Sequence, residues 1–107
     1  MPKNEEVIQQ YKEAARRHDV PALVEMFTDD AVLLFGTKPV VGKEAIRTLF
    51  ETLPMSPETH TDMGATVSHG EYVFLTYRLG DLHGGDTFHI RDGRIKMQSA
   101  HIARLAT

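Results

Sequence analysis

Apolar residues recur at Val7, Ile8, Tyr11, Ala14 and Ala15, a spacing that keeps them on one side of a helix. This predicts an amphipathic opening helix. Asn4 is its expected N-cap, Glu5 and Glu6 lie in the first turn where the backbone dipole favours anions, and His18 falls in the last turn. Asp19 is expected to cap a second, short helix. Pro21 is tolerated near its start because first-turn N–H groups have no intrahelical partner. Leu23, Met26 and Phe27 supply the buried side of that helix, and Asp29-Asp30 its end. Residues 31–35 (AVLLF) are too few for a helix and too apolar for a wet face, so they predict a buried strand. Residues 36–42 read as a loop in which Val40 and Val41 form a brief extended piece. A third stripe, Ala45, Ile46, Leu49, Phe50 and Leu53, predicts a helix from Lys43 that Pro54 and Pro57 stop.

From there the period changes to two. Residues 59–68 alternate weakly, and residues 71–79 are rich in Tyr, Val, Phe, Leu and Thr, which suit a pleated surface. His69-Gly70 is the turn between these strands. Residues 80–85 (GDLHGG) read as a flexible loop, residues 86–91 as a strand, Asp92-Gly93 as a two-residue hairpin turn, and residues 94–105 as a long last strand. Helices come first and turn-linked antiparallel strands second, which is an α+β arrangement. Alternation places Asp86, Phe88 and Ile90 on one face of their strand and Thr87, His89 and Arg91 on the other. On residues 71–79 one face holds Tyr72, Phe74, Thr76 and Arg78, the other Val73, Leu75, Tyr77 and Leu79; alternation leaves open which is inside.

Composition narrows the classes. A chain of 107 residues suffices for one core, so residues 1–107 are expected to form a single domain. The net charge of −3, with Lys and Arg scattered, offers no basic field for nucleic acid or an anionic membrane, so neither is expected as a partner. No apolar run approaches the roughly 20 residues of a membrane helix, and the opening MPKNEEVIQQ has no secretory h-region. The absence of cysteine excludes disulfides, thiolate metal sites and a cysteine nucleophile, and fits a cytoplasmic protein. His60, His69, His83, His89 and His101 show neither H-x3-H nor HExxH spacing, so no metal site is expected. No GxSxG, S-x-x-K, GxxxxGK[ST] or GxGxxG motif is present, so neither a serine nucleophile nor a nucleotide cofactor is implied. A single pocket histidine remains a candidate general base, because its ionisation lies near neutrality; His60 is preferred, with His89 and His101 behind it.

The segment HDVPALVEMFTDDAVLLFG, the stretch Gly42-Lys43-Glu44-Ala45-Ile46 and the turn Asp92-Gly93-Arg94-Ile95 resemble, in order and spacing, the nuclear transport factor 2-like superfamily, including its SnoaL-like and ketosteroid isomerase-like families. The resemblance covers nearly the whole chain. It implies a cystatin-like roll: a cone-shaped, curved, mostly antiparallel sheet on three N-terminal helices, with an apolar pocket inside and a homodimer joined through the convex sheet face. It places Asp86, Phe88 and Ile90 inside, together with Gln98, Ala100 and Ile102 of the last strand, as lining for a small hydrophobic molecule. Met97, Ser99 and His101 then face outward.

In the family's steroid isomerases a Tyr and a protonated Asp bind the reacting oxygen and a second Asp shuttles the proton. By resemblance Tyr11 matches the Tyr and Asp86 the protonated Asp. The base position falls on Phe35, which accepts no proton, and Phe50 stands where some members carry a supporting Tyr. Read without the resemblance, Tyr11 is equally a core residue on an apolar stripe, and Asp86 a loop acid beside Gly84-Gly85. The family's epoxide hydrolases use an Asp-Arg-Asp set, but the spacing of Arg78, Asp81 and Asp86 does not fit the one-face period of a strand. Two functions follow. One is a proton-transferring isomerase, cyclase or hydratase of a hydrophobic carbonyl compound, with Tyr11, Asp86 and a histidine or water at work. The other is a binder or dimeric assembly module that keeps the cavity without the base.

Overall fold

The computed structural model describes residues 3–53, 60–62, 64–79 and 81–104. Helix α1 (Asn4–Arg16) buries the predicted stripe of Val7, Ile8, Tyr11, Ala14 and Ala15. Two of its ends differ from the sequence reading. Lys3 takes the N-cap position, while Asn4 donates its side-chain amide to the Gly70 carbonyl at 2.9 Å, tying the helix to a strand turn. The helix stops at Arg16, and His18 lies beyond it at φ 53, in the left-handed region. There the His18 and Asp19 N–H groups bond back to Ala15 and Ala14, closing the last turn. The His18 ring donates from Nε2 to the Phe50 carbonyl at 3.0 Å, which holds this non-glycine residue in an unfavourable backbone region.

Helix α2 (Val20–Glu25) is capped as expected by Asp19, whose side chain accepts from the Ala22 N–H. It is shorter than the sequence suggests. Asp29-Asp30 does not end it, because strand β1 (Phe27–Phe35) has already begun at Phe27 and runs straight through the acidic pair. The register of β1 against its neighbour slips between Phe27 and Val32, a bulge that leaves Asp29 and Asp30 exposed. Strand β2 (Lys38–Val41) contains the expected Val40-Val41 piece. Gly42, at φ +88, turns the chain into α3 (Lys43–Thr52), a conformation that suits glycine alone. In α3, Ile46 and Phe50 are buried, but Ala45 is exposed. Pro54 and Pro57, read as the helix stop, lie outside the described residues.

The predicted strand at 59–68 is broken into β3 (His60–Asp62) and β4 (Thr66–His69). Both pair antiparallel with β5 (Tyr72–Leu79) along one edge, β4 against its first half and β3 against its end. The expected loop over 80–85 is a second correction. Strand β6 (Leu82–Arg91) starts at Leu82, and its pairing with β5 reaches Leu79↔Leu82, so Gly84 and Gly85 are strand residues. The Asp92-Gly93 turn leads into β7 (Arg94–Arg104). Gly80 and Leu105 lie outside the described residues.

The strands form one open mixed sheet in the order β2-β1-β7-β6-β5-β3, with β4 also on β5. Among the described residues all strand pairs are antiparallel except β1 with β7, the first strand with the last. The helices cover one face. There Val73 and Leu75 of β5, Phe88 and Ile90 of β6, Ile95 of β7 and Leu33 of β1 are almost fully buried against Val7, Ile8, Leu23 and Ile46. Each such side chain contributes about 1.5–3 kcal/mol on leaving water. This settles the open question on β5: the Val73, Leu75 and Tyr77 face is inside, and Tyr72 and Phe74 are exposed.

Candidate functional site

Among the described residues two polar side chains are buried within this apolar cluster, Asp86 and Gln98. Strand register explains why they meet. Asp86 of β6 lies opposite Ala100 of β7 and Leu75 of β5, while Gln98 lies opposite Phe88, one same-face step along. Gln98 therefore reaches Asp86 diagonally. Tyr11 comes from above, on the buried stripe of α1. Its ring meets that of Phe88 edge to face, with centroids 5.0 Å apart at 69°.

One amide group joins all three elements. Gln98 Nε2 donates to Tyr11 Oη at 2.9 Å and to Asp86 Oδ2 at 2.8 Å. The other carboxyl oxygen, Oδ1, accepts from the Tyr77 hydroxyl at 3.1 Å. Gln98 Oε1 is buried without a hydrogen-bond partner among the described residues. The hydroxyl proton of Tyr11 likewise has no acceptor among them.

Burial pushes the Asp86 carboxyl up to about 6, against the opposing pull of the Gln98 and Tyr77 hydrogen bonds and the charge of His101. Tyr11 and Tyr77 are both pushed up, first by burial and then by the Asp86 charge, so both hydroxyls stay protonated near neutrality. The arrangement is a carboxyl that changes charge near physiological pH, flanked by neutral donors that do not.

The other expected residues are dispersed around this centre. Phe35 of β1 pairs with Ala100, which pairs with Asp86, so the three form one row across neighbouring strands. Two strand spacings put the backbones of Phe35 and Asp86 about 10 Å apart. Ile102 is 38% exposed and pairs with Gly84 beyond Asp86. Ile90 is fully buried, four residues from Asp86 and about 13 Å along the strand. Phe50 packs its ring on Phe27 at 6.0 Å, in the cluster beneath α3. Strand β3 holds His60, but its side chain lies outside the described residues. His89 is on the helix-free face, bonded to Glu71 Oε1 at 2.9 Å and stacked on Tyr72. His101 is exposed and contacts Ser99 at 3.0 Å. Arg78 is exposed on the face opposite Asp86, so no Asp-Arg-Asp set is assembled there. Tyr77 joins the site although no motif marks it. The sequence signal for it is its period-two spacing from Val73 and Leu75 together with the glycines opposite.

The sequence model of the SnoaL-like domain matches residues 8–97. The chain belongs to the SnoaL-like domain family. Solved structures confirm the nuclear transport factor 2-like fold of this SnoaL-like domain. An NTF2-like protein of unknown function from Burkholderia xenovorans superposes with a TM-score of 0.84 at 13% identity, over 96% of this chain and 84% of its own. A protein from Sinorhizobium meliloti, provisionally named a polyketide cyclase, gives 0.76 at 20% identity, over 94% of this chain and 95% of its own. One from Kribbella flavida, provisionally named a ketosteroid isomerase, gives 0.77 at 12% identity, over 95% and 78%. At such identities the likeness establishes the fold. No curated protein sequence matches the chain. Among the described residues no helix is long and apolar enough to cross a membrane.

Proposed function

We propose that this SnoaL-like domain is a small-molecule enzyme that moves a proton beside a carbonyl group, as an isomerase, cyclase or hydratase of a hydrophobic ketone or enone. The observation that carries the reading is the buried Asp86 carboxyl, ionising near pH 6 between two neutral donors. A carboxylate poised there is a competent general base at neutral pH and, once protonated, a competent acid. Each of its oxygens already accepts a hydrogen bond, from Tyr77 and from Gln98, and such donors favour the ionised form. Asp86 thus suits the role of base, in place of the oxygen-binding acid that family resemblance suggests. Tyr11, whose hydroxyl accepts from Gln98 and has no acceptor among the described residues, suits the role of oxygen-binding donor.

In this reading Asp86 removes a proton from the carbon next to the carbonyl, and the electron pair moves onto the carbonyl oxygen. Tyr11 donates to that oxygen and stabilises the enolate. Isomerisation follows when Asp86 returns the proton at a conjugated carbon, and cyclisation when the enolate carbon attacks a second carbonyl of the substrate and the alkoxide so formed takes the proton back from Asp86. Phe35, Ala100 and Phe88 supply apolar surroundings. The provisional names of the Sinorhizobium and Kribbella proteins, cyclase and isomerase, are in keeping with this class. The same reading keeps a cytoplasmic homodimer joined through the helix-free face, where Val67, Tyr72 and Phe74 are exposed.

A panel of cyclic β,γ-unsaturated ketones in D2O tests the proposal, with conjugated-enone absorbance and deuterium incorporation as readouts. Turnover by the wild type and its loss in a folded Asp86→Ala variant are expected. Equal rates in both remove Asp86 from the chemistry. Binding of these ketones without turnover favours the non-catalytic binder, which Phe35 at the family's base position also fits.

A further inference from the structure

Resting on the reading of Asp86 as the base, we infer that Tyr77 and Gly84 form a positioning pair for its carboxyl: the Tyr77 ring occupies the space where Gly84 lacks a side chain, and that seat aims the hydroxyl at Oδ1. Tyr77 and Gly84 are direct cross-strand partners on β5 and β6. A Cβ built on Gly84 would stand 2.2 Å from Tyr77 Cε2 and Cζ and 2.6 Å from its hydroxyl oxygen, closer than any real contact. The backbone does not demand glycine here, since φ at Gly84 is not positive. Glycine weakens a strand interior, so close approach of another group is the physical reason for it. Gly85, next in the chain, faces the other side of the sheet, where an added Cβ would stand 3.4 Å from the Phe74 ring, an ordinary contact. The ring that matters for the site is Tyr77, because Gly84 and Asp86 share a face.

Tyr77 acts through Asp86 as a positioning residue. The groups facing the carboxyl are Tyr11 of α1, Tyr77 of β5 and Gln98 of β7, while His101 of β7, on the other face of the sheet, acts on it through its charge alone. Of these, Tyr77 alone holds Oδ1, and its hydrogen bond favours the ionised form. Without it the carboxyl takes up a proton more readily and loses one of its two anchors.

The test is a carboxyl-carbon NMR titration of Asp86, run without substrate on the wild type, Tyr77→Phe, Gly84→Ala and the double variant. Tyr77→Phe removes one oxygen and should raise the Asp86 midpoint by about one pH unit, as expected for loss of a donor to a charged group. Gly84→Ala should raise it similarly although the hydroxyl is still present, and the double variant should match Tyr77→Phe alone. Repeating the series with His101→Asn removes the other titrating group near the carboxyl. An unmoved midpoint in Tyr77→Phe overturns the pair, as do additive shifts in the double variant. If the midpoints move as stated but no variant or wild type turns over any ketone, the pair stands and the assignment of Asp86 as base falls.

Discussion

Gln98 Nε2 stands 2.8 Å from Asp86 Oδ2, a buried contact between neighbouring strands. Its other hydrogen goes to Tyr11 Oη, so one side chain holds the proposed base and the proposed oxygen-binding donor together. Gln98→Leu keeps the volume and removes both bonds. It should destabilise the fold by about 1–3 kcal/mol at pH 8, where the carboxylate needs its donor, and by less at pH 4.5, where the neutral acid does not. Urea unfolding at the two pH values checks this. Equal losses would mean that Gln98 only fills space.

The proton affinity of Asp86 also has a sign in stability. Its ionisation rises from an ordinary 3.8 to about 6 in the fold, so the folded state binds the proton more tightly than the unfolded chain does. The resulting stabilisation is complete below pH 3.8 and is lost as pH rises through 6. Wild type should therefore lose up to about 3 kcal/mol relative to Asp86→Asn between pH 4 and pH 8. Denaturant midpoints of both proteins across that range give the difference. A constant difference would mean that the carboxyl is solvated.

Phe35 occupies the row that leads through Ala100 to Asp86. If Asp86 is the base, a second carboxylate in that row has no proton to take. Phe35→Asp should then turn over an enone substrate no faster than wild type, while losing apolar contact with it. A faster variant would show that Asp86 is the oxygen-binding acid and that the chain lacks only its base.

Much of this architecture is legible in the residue pattern. The apolar stripes of α1 and α3, the Asp19 cap and the Asp92-Gly93 turn are local signals, and each predicts its element. Tyr11 and Asp86 stand out through family resemblance. What escapes is what only distant strands decide. Asp29-Asp30 looks like a helix stop, yet β1 carries it outward on a bulge. Gly84-Gly85 looks like a loop because glycine disfavours strands, yet two rings from β5 cover the pair, one on each face. Sequence leaves the side of Tyr77 open because β5 carries apolar residues on both faces, and only the seating of α1 tells them apart. The parallel pairing of β1 with β7 has no sequence signal, since it joins the first strand to the last.

On the helix-free face Glu71 accepts from His89 and twice from Arg91. These bonds hold its carboxyl down to about 2. Its contribution is present above the ordinary carboxylate range and is lost as pH falls through 2. The cluster is exposed, so the effect of Glu71→Gln should be small at pH 7, shrink further in high salt, and approach zero as acid protonates the wild-type residue. Urea midpoints at pH 7 and pH 2.5 check it. A variant difference that grows in acid would contradict the sign.

The pH dependence of kcat/KM for a β,γ-unsaturated ketone tests the central claim most directly. An Asp86 base predicts a rate that climbs with pH through a single midpoint near 6 and levels off above it, and a loss of at least about a hundredfold in Asp86→Asn. A flat profile, or an Asp86→Asn variant with the wild-type rate, would contradict it.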